Sequence, residues 1–366
     1  MRTHTSRQPI LPTELFRPIM EHLRGRTHDL LACSTTSKAC GVEAQRVLFS
    51  VVVHLDGGHQ RTTRFLNAII NSPNRLALHV HVLKLHMTYT LQEPILTTIP
   101  IAFRLMDNLK HLYFRSYKAI PFAASLRGVS FELEGFDWGC RMDERELALS
   151  FFPSQPRLKY IRLKDWNPIG SASGVGARIG DVCPNLECID GPGSVLLALL
   201  PNHPEAKVAL WHPSRAESQA GAPAIATAEL AAELGRIECL SYTGMFQGHS
   251  VWNISRWLTS LRVLELRGYE ESDLHVLNEL PSLQHLILST ASTPDDSVGW
   301  IEDRSTEDAK SVEKAFMQSS SVQRVDIQVP GNTDYMRWHR PSSDQPAERI
   351  TQKEARSHCY EYTGVF

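Results

Sequence analysis

The chain has 366 residues, of which 42% are hydrophobic and 21% charged, and its formal net charge is -2. A charge this close to neutral argues against a dedicated nucleic-acid binder, which carries a strong basic excess. No apolar run reaches the roughly 18–20 residues that a membrane-spanning helix needs, and no apolar stretch follows the basic N-terminus as a secretory signal would require. The seven cysteines are widely spread and form no C-x-x-C pair, which favours a reduced intracellular chain, cytoplasmic or nuclear.

An apolar pattern with helical spacing occupies residues 11–49. Its first large apolar residues recur every four positions, as Leu11, Leu15, Ile19 and Leu23. This spacing predicts one face of an amphipathic helix. Asp29 is placed to cap a second helix over residues 30–37, and residues 42–49 predict a third. Three short helices cannot bury so many leucines among themselves, so we expect this segment to need a partner surface.

The same segment carries a recognisable series of motifs. It opens with Leu11-Pro12-x-Glu14-Leu15, continues with the run DLLACS that starts at Asp29, and closes with AQRVLF, which ends at Phe49. Over residues 9–54 it thereby resembles the F-box of eukaryotic ubiquitin-ligase receptors, in the form common in fungi. The resemblance implies docking on a Skp-type adaptor and, through it, on a cullin scaffold. The residues implied in adaptor contact are Leu11, Pro12, Glu14, Leu15, Ile19, Leu23, Leu30 and Leu31.

Two positions depart from the pattern of the family. Cys40 stands where members often carry Trp in the third helix. Pro18 falls inside the first predicted helix, where it removes the hydrogen bond to the Glu14 carbonyl and is expected to cause a kink. The alternative interpretation of this segment is an ordinary helical cap on a larger domain.

The rest of the chain is dominated by a repeated apolar pattern. A strand over residues 51–55 and a helix over residues 62–71 come first, and we assign residues 55–78 to this connection. A unit of the form apolar-x-x-apolar-x-apolar then recurs, and its copies begin at Val80, Leu109, Leu126, Leu158, Leu186, Ile237, Leu261, Leu283 and Val322. The long gap before Ile237 suggests a further weak copy around residues 206–211.

Short strands that alternate with helical segments predict a parallel sheet in an α/β architecture. The helical segments are predicted at residues 144–151, 222–234, 273–279 and 306–317. The pattern resembles the degenerate leucine-rich repeats of F-box proteins. We therefore expect a three-helix F-box followed by an irregular leucine-rich-repeat solenoid with a curved parallel sheet over residues 79–330, the alternative being an irregular α/β domain. The polar residues 331–366 predict a loose tail or a terminal cap.

In a solenoid, the residues between the inward apolar positions lie on the concave face, which is the usual binding surface. The early strands place basic and tyrosine side chains there, which favours Arg pairing with an acidic or phosphorylated target protein. The later strands add a mixed set, namely Glu265, His285, Ile287, Arg324 and Asp326. The candidate target-binding residues are Lys84, His86, His111, Tyr113, Arg115, Tyr160, Arg162, Lys164 and Arg267.

The sequence predicts no catalytic, metal or cofactor site. Glycines at 174, 176 and 180 lack the spacing of a dinucleotide-binding loop. His79, His81 and His86 lack the further nearby ligands that a zinc site requires. We expect a non-enzymatic substrate-recognition adaptor of an SCF-type ubiquitin ligase. The alternative is a leucine-rich-repeat interaction scaffold with no link to ubiquitin ligation.

Overall fold

The computed structural model describes residues 11–52, 59–87, 93–116, 121–140, 143–164, 183–212, 228–243, 251–290, 305–329, 331–340 and 348–359. They fall into two compact units. The N-terminal unit comprises the described residues of Met1–Lys118 and Phe122–Leu133, and the C-terminal unit comprises those of Ala119–Pro121 and Glu134–Phe366. The glycine-rich segment around residue 176 lies outside the described residues. None of the described helices combines the length and hydropathy needed to cross a bilayer.

Three short helices open the N-terminal unit after the 3-10 turn Thr13–Leu15. They are α1 (Phe16–His22), α2 (Thr27–Ser34) and α3 (Lys38–Ser50). Asp29 lies in the first turn of α2 and does not cap it, because α2 begins three residues earlier than predicted. Ser37 caps α3 by accepting a hydrogen bond from the Cys40 amide at 3.2 Å.

Pro18 is the third residue of α1. Backbone N–H groups in the first turn of a helix have no acceptor within that helix, so a proline there costs no hydrogen bond. The backbone changes from 3-10 to α-helical geometry before Phe16, so Pro18 falls in the first turn of α1. In one continuous helix from the 3-10 turn onward, Pro18 would have removed a hydrogen bond.

A parallel sheet continues directly from α3. Its strands are β1 (Val51–Val52), β2 (Val82–Met87) and β3 (His111–Ser116), and the connecting helices are α4 (His59–Ile70) and α5 (Glu93–Phe103). Val51 pairs with Val82, and Val82 pairs with His111. The apolar positions of each strand face the helices, as the contact between Phe114 and Phe103 shows.

The C-terminal unit continues the same strand–connection pattern. Its strands, each paired with the next one in the chain, are β4 (Gly135–Gly139), β5 (Tyr160–Leu163), β6 (Cys188–Gly191), β7 (Val208–Trp211), β8 (Cys239–Thr243), β9 (Val263–Arg267), β10 (His285–Ser289), β11 (Arg324–Gln328), β12 (Tyr335–His339) and β13 (Glu348–Ile350). The pairs from β4 to β11 are parallel, and the last two are antiparallel.

Helical turns make the connections in this unit. The α-helices are α6 (Glu144–Glu146), α7 (Gly193–Leu199), α8 (Ala228–Leu234), α9 (Trp252–Ser255), α10 (Ser305–Gln318) and α11 (Gln352–Ala355). A π-helical turn, Leu147–Phe151, extends α6, and the 3-10 helix Glu271–Glu279 precedes β10. Four of the predicted helical segments thus contain helical structure in their described residues.

One backbone contact recurs from coil to coil. Two successive amides at the start of a strand donate to a single carbonyl just before the preceding strand: those of Arg262 and Val263 to Glu238, and those of Gln284 and His285 to Arg262. The same arrangement links Lys159 and Tyr160 to Glu134. Repeated strands, in register and in chain order, define an irregular leucine-rich-repeat solenoid of mixed α/β structure. This part of the fold prediction is confirmed.

The sequence misplaced one repeat. The copy predicted from Leu126 is a 3-10 turn, and the strand there is β4, whose repeat reads Leu133-x-x-Phe136-x-Trp138. The weak copy around 206–211 is the strand β7. For residues 331–366 two alternatives were open, a loose tail or a terminal cap. The described residues favour the cap, because β12 and β13 extend the sheet with antiparallel strands.

Candidate functional site

The three N-terminal helices have a small core of their own. Met20, Leu30, Ala44 and Val47 are buried against one another, and Leu23, Cys33, Cys40 and Leu48 pack partly buried around them. Arg46 on α3 lies 2.8 Å from Glu21 on α1 and 2.8 Å from Glu43, which ties α1 to α3. Hydrogen bonds from Arg24 and Arg46 hold the pKa of Glu21 below its ordinary value. Cys40 is one of the partly buried side chains packed against this core.

Large apolar side chains remain on the surface of the same helices. They are 40% to 53% exposed and comprise Leu11, Leu15, Ile19 and Leu31, with Val42 at 44%. Pro12 and Glu14 are also exposed. Leu30, by contrast, is 3% exposed and Leu23 is half-buried, because both face the small core. The set implied in adaptor contact thus divides into six surface residues and two that support the core.

In the N-terminal unit, the alternate residues of β2 and β3 form a half-buried basic and aromatic patch. Lys84 and Tyr113 occupy paired positions, and the Lys84 Nζ lies 5.3 Å from the centre of the Tyr113 ring. The Arg115 guanidinium lies 6.0 Å from the same ring. His86 and His111 are half-buried on these strands. Cations over an aromatic face are attracted by its quadrupole, so this patch holds positive charge in fixed places.

In the C-terminal unit, one row of paired residues crosses the sheet from strand to strand. We call the side of the sheet on which this row lies the polar face. Its members, in strand order from β4 to β12, are Asp137, Arg162, Asp190, Leu210, Ser241, Glu265, Ile287, Asp326 and Arg337. The four carboxylates of the row are at most 1% exposed. Buried carboxylates are costly unless they are paired, so the row requires internal partners.

Side chains in and beside the neighbouring strands pair Asp190. The Tyr160 hydroxyl donates to it at 2.9 Å, Arg162 Nε lies 3.2 Å away and His212 Nε2 lies 3.1 Å away. Burial would raise the pKa of Asp190, but Arg162 and His212 outweigh it and lower the pKa to about 2. Asp137 lies 3.5 Å from Arg162, so this arginine bridges two carboxylates of the row.

Strand residues also pair Asp326. Arg337 donates to both carboxylate oxygens, at 2.8 Å from Nε and 2.7 Å from Nη2. His285 Nε2 lies 2.8 Å from Asp326, and its Nδ1 lies 2.7 Å from Arg324. Burial would raise the pKa of Asp326. The hydrogen bonds from Arg337 and His285 outweigh it, the one from Arg337 most, and the pKa is lowered. A two-pronged arginine–carboxylate bond fixes both partners in one geometry.

Glu265 differs because one of its partners comes from the end of the chain. Ser241 donates to Oε2 at 2.6 Å and Ser289 to Oε1 at 2.8 Å, from the strands on either side. Arg267 Nε lies 3.1 Å from Oε1, and Arg356 Nε lies 3.0 Å from Oε1 and 3.2 Å from Oε2. Burial is outweighed by the charge of Arg356, so the pKa of Glu265 is lowered.

The C-terminal segment, residues 351–359, covers this part of the polar face. Ala355 packs with Ile287, Tyr335 and Ile350, and Cys359 packs with Tyr160, Cys188 and Leu210. Thr351 caps α11, exchanging hydrogen bonds with Glu354. The face that was predicted to be open for a target is therefore occupied here by the chain itself.

Because the C-terminal segment lies over the polar face, the candidate target-binding residues of this unit need a different interpretation. Tyr160 is 1% exposed under the C-terminal segment. Arg162 and Arg267 are paired with carboxylates, and Lys164 remains exposed. Glu265, His285, Ile287 and Asp326 lie on the predicted face but are buried. The predicted site residues did not include Asp190, although it holds the same repeat position after Leu186-x-x-Ile189. Arg356 belongs to no repeat, so no sequence pattern pointed to it.

Glu265, His358 and Cys359 place ligand-type atoms within 4.8 Å of one another. Both oxygens of Glu265 already accept hydrogen bonds, and the guanidinium of Arg356 lies against them. A cation would have to displace these donors beside a fixed positive charge. The ion pair therefore accounts for this cluster, and we assign it no metal.

Comparisons with known proteins give fold similarity only. No family model matches the chain, and no curated protein matches it significantly. The leucine-rich-repeat protein LegL7 from Legionella pneumophila is similar over 74% of this chain and 97% of its own, with a TM-score of 0.44 and 13% identity. A structure of the Rad7 and Elc1 complex in yeast is similar over 82% of this chain and 100% of the matched one (TM-score 0.30, 11% identity).

Internalin C2 from Listeria monocytogenes is similar over 64% of this chain and 88% of its own, with a TM-score of 0.28 and 13% identity. Since these TM-scores are all below 0.5, the assignment of a leucine-rich-repeat solenoid rests on the strand order, the register and the repeated backbone bonds of this chain.

Proposed function

We propose that the chain is a substrate-recognition adaptor of an SCF-type ubiquitin ligase. The N-terminal helices dock on a Skp-type adaptor, which connects to a cullin scaffold, and the repeats hold a target protein. The chain itself performs no bond chemistry in this role and contributes proximity between target and ligase. The target binds on the repeats because stacked strands offer an extended surface.

One observation carries the proposal: Leu11, Leu15 and Ile19 are exposed at the start of a helical segment that already has a core of its own. Burying the remaining exposed surface of one such side chain stabilises an assembly by about 1 kcal/mol. The three follow one another from the residue before Pro12, through the 3-10 turn, into α1. A single exposed leucine needs no explanation, whereas several close together in the chain do. The positions are also those that the F-box resemblance assigns to adaptor contact.

The proposal predicts a specific loss of binding. Leu15→Asp, or Pro12 and Leu15 both changed to Ala, should reduce binding to a purified Skp-type adaptor by about 30-fold or more, since few residues carry most of an interface. Leu149→Asp is the matched control, because Leu149 is 41% exposed and Leu15 45%. Equal adaptor binding by Leu15→Asp and Leu149→Asp would refute the docking role.

The second candidate is a leucine-rich-repeat interaction scaffold without any ligase link, whose N-terminal helices cap the solenoid. The observation in its favour is continuity: β1 follows α3 without a break and pairs with β2 in the same compact unit. Expression of residues 1–55 separates the two. Rescue of this fragment by co-expressed adaptor supports docking, whereas solubility only when joined to residues 56–330 supports a cap.

The chemistry of the target is proposed for the N-terminal unit alone. Lys84 and Arg115 are half-buried beside the Tyr113 ring and carry the positive charge predicted to meet an acidic or phosphorylated partner. Arg162 and Arg267, proposed for the same purpose from the sequence, already neutralise buried carboxylates. We therefore restrict an anionic contact to β2 and β3.

A further inference from the structure

The polar face around Glu265 is a site assembled by the sheet. Ser241 on β8 and Ser289 on β10 donate to different oxygens of the Glu265 carboxylate, so neighbouring strands fix its orientation. Tyr335 lies 3.1 Å from the Ser289 hydroxyl and extends the hydrogen-bonded group. These partners all belong to strands, and they hold the carboxylate in place independently of the C-terminal segment.

Comparison along the row singles out this carboxylate. Asp190 and Asp326 receive their cations from residues in or beside the adjacent strands. Glu265 has one such cation in Arg267, and it takes a second guanidinium from Arg356, 91 residues further along the chain. Arg356 is 8% exposed and its charge is stabilised by Glu265, which raises its pKa although burial opposes this. The segment therefore inserts an arginine into a carboxylate site that the sheet had already shaped.

The residues beside Arg356 fit the surface on both sides of the site. Ala355 enters an apolar cluster of Ile287 and Tyr335, with Val263 at its edge. Cys359, four positions further on, enters a second cluster formed by Tyr160, Cys188 and Leu210. A helical turn with a small side chain, an arginine and a second small side chain thus matches an apolar–acidic–apolar arrangement. Ala355 and Cys359 are four positions apart, and Arg356 lies between them at the end of α11. Anchors three or four residues apart are how a short helical segment is recognised in a groove.

We propose that the C-terminal segment occupies a peptide-binding site on the polar face, and that the target contributes an arginine-bearing helical turn that replaces it on Glu265. This inference rests on the proposed function in one respect, namely that the repeats bind a target. The partner it specifies is basic at this site, since a carboxylate or phosphate would meet Glu265 with like charge in a buried setting. The segment acts as an internal competitor whose high local concentration keeps the site closed.

The test uses a chain that ends at Ile350 and a labelled synthetic peptide with the sequence of residues 351–359, followed by fluorescence anisotropy under reducing conditions. The truncated chain should bind this peptide. An Arg356→Ala peptide should bind on the order of 100-fold more weakly, because one member of a buried charge pair is lost. Ser357→Ala, at an exposed position of the same segment, is the matched control and should bind like the original.

Two further measurements complete the test. Glu265→Gln in the truncated chain should remove the preference for the arginine peptide, and the intact chain should bind the original peptide at least about 10-fold more weakly than the truncated chain does. Equal binding of the original and Arg356→Ala peptides, or equal binding by the intact and truncated chains, would overturn the proposal. A peptide library selected on the truncated chain should yield arginine with small flanking residues; enrichment of acidic or phosphorylated peptides would contradict it.

A second variant provides the same test if the truncated chain does not fold. A protease site is placed between Arg340 and Glu348 of the intact chain and cut after folding. Excess original peptide should then displace the C-terminal fragment, and Arg356→Ala peptide should not; a fragment that resists displacement would make the segment a permanent part of the core. Adaptor binding is measured on the same samples. Peptide binding without adaptor binding would refute only the ligase role. Adaptor binding without peptide binding would refute only the peptide site on the polar face.

Discussion

Apolar side chains are usually buried and charged ones exposed, and two regions of this chain depart from that rule. The N-terminal helices expose apolar side chains, whereas the C-terminal unit buries charged ones. The helices expose Leu11, Leu15, Ile19 and Leu31. The C-terminal unit buries the carboxylates of Asp137, Asp190, Glu265 and Asp326. Exposed apolar groups are satisfied by a partner from outside, whereas buried charges must be satisfied from within. The comparison therefore separates a surface for which we propose a protein partner from one that the chain has already filled.

Removing a buried carboxylate should have the largest effect on stability. Glu265→Ala leaves Arg267 and Arg356 without their shared acceptor, and we expect a loss of about 3–5 kcal/mol in the free energy of unfolding, measured with urea. Glu238→Ala is the control, because Glu238 pairs with Lys207 at the surface. It should cost less than about 1 kcal/mol. Similar losses for both variants would erase the distinction between a buried and a surface pair.

Adjacent leucines of α2 test the helices in the same way. Leu30 is 3% exposed and Leu31 is 53% exposed. Leu30→Ala should lower the free energy of unfolding by about 2–4 kcal/mol through the cavity it leaves. Leu31→Ala should leave thermal unfolding nearly unchanged and weaken adaptor binding instead. If Leu31→Ala destabilised the fold as much as Leu30→Ala, the exposed leucines would belong to a core and not to a docking surface.

Acid should weaken the C-terminal unit through its row of carboxylates. The pKa of Asp190 is lowered from 3.8 to about 2, so its contribution is complete above about pH 4 and is lost as the pH falls toward 2. The size of that contribution is about 2 kcal/mol. Asp190→Asn should make the free energy of unfolding depend less on pH between 4 and 2 than in the original chain. An unchanged dependence on pH would contradict the pairing.

Among these stability predictions, the smallest effect is expected on the sheet of the N-terminal unit. Lys84 lies over Tyr113 at 5.3 Å and is half-buried. A contact of this kind contributes about 0.5–1 kcal/mol, so Lys84→Ala should shift the urea midpoint only slightly. A loss comparable to that of Glu265→Ala would show that the polar positions on the strands of the two units are equivalent.

The sequence predicted most strands because the repeat pattern reports local burial. Leu261, Leu264 and Leu266 fall at the expected places and are buried, and Ala206 with Trp211 marked the weak copy correctly. The strand β4 was displaced because two copies, from Leu126 and from Leu133, satisfy the same spacing. Only the packed structure decides between them.

The burial of the polar face could not be predicted from any local pattern. Charged residues alternate with apolar ones both on half-exposed strands and under a cover, so Glu265 and Lys84 look alike in sequence. The cover comes from Arg356 and its neighbours, which lie outside the repeats. Leu30 and Leu31 show the same limit on a helix: both are apolar, and only the position of α2 against Met20 and Val47 decides which one is buried.

Affinity purification of the intact protein from cells with the proteasome blocked tests the account most directly. The original chain should recover a Skp-type adaptor and a cullin together, and Leu149→Asp should recover them equally well. Leu15→Asp should recover neither, since its exposed apolar row is interrupted by a charge. Recovery of adaptor and cullin by Leu15→Asp at the original level, or their absence from the original sample, would contradict the account.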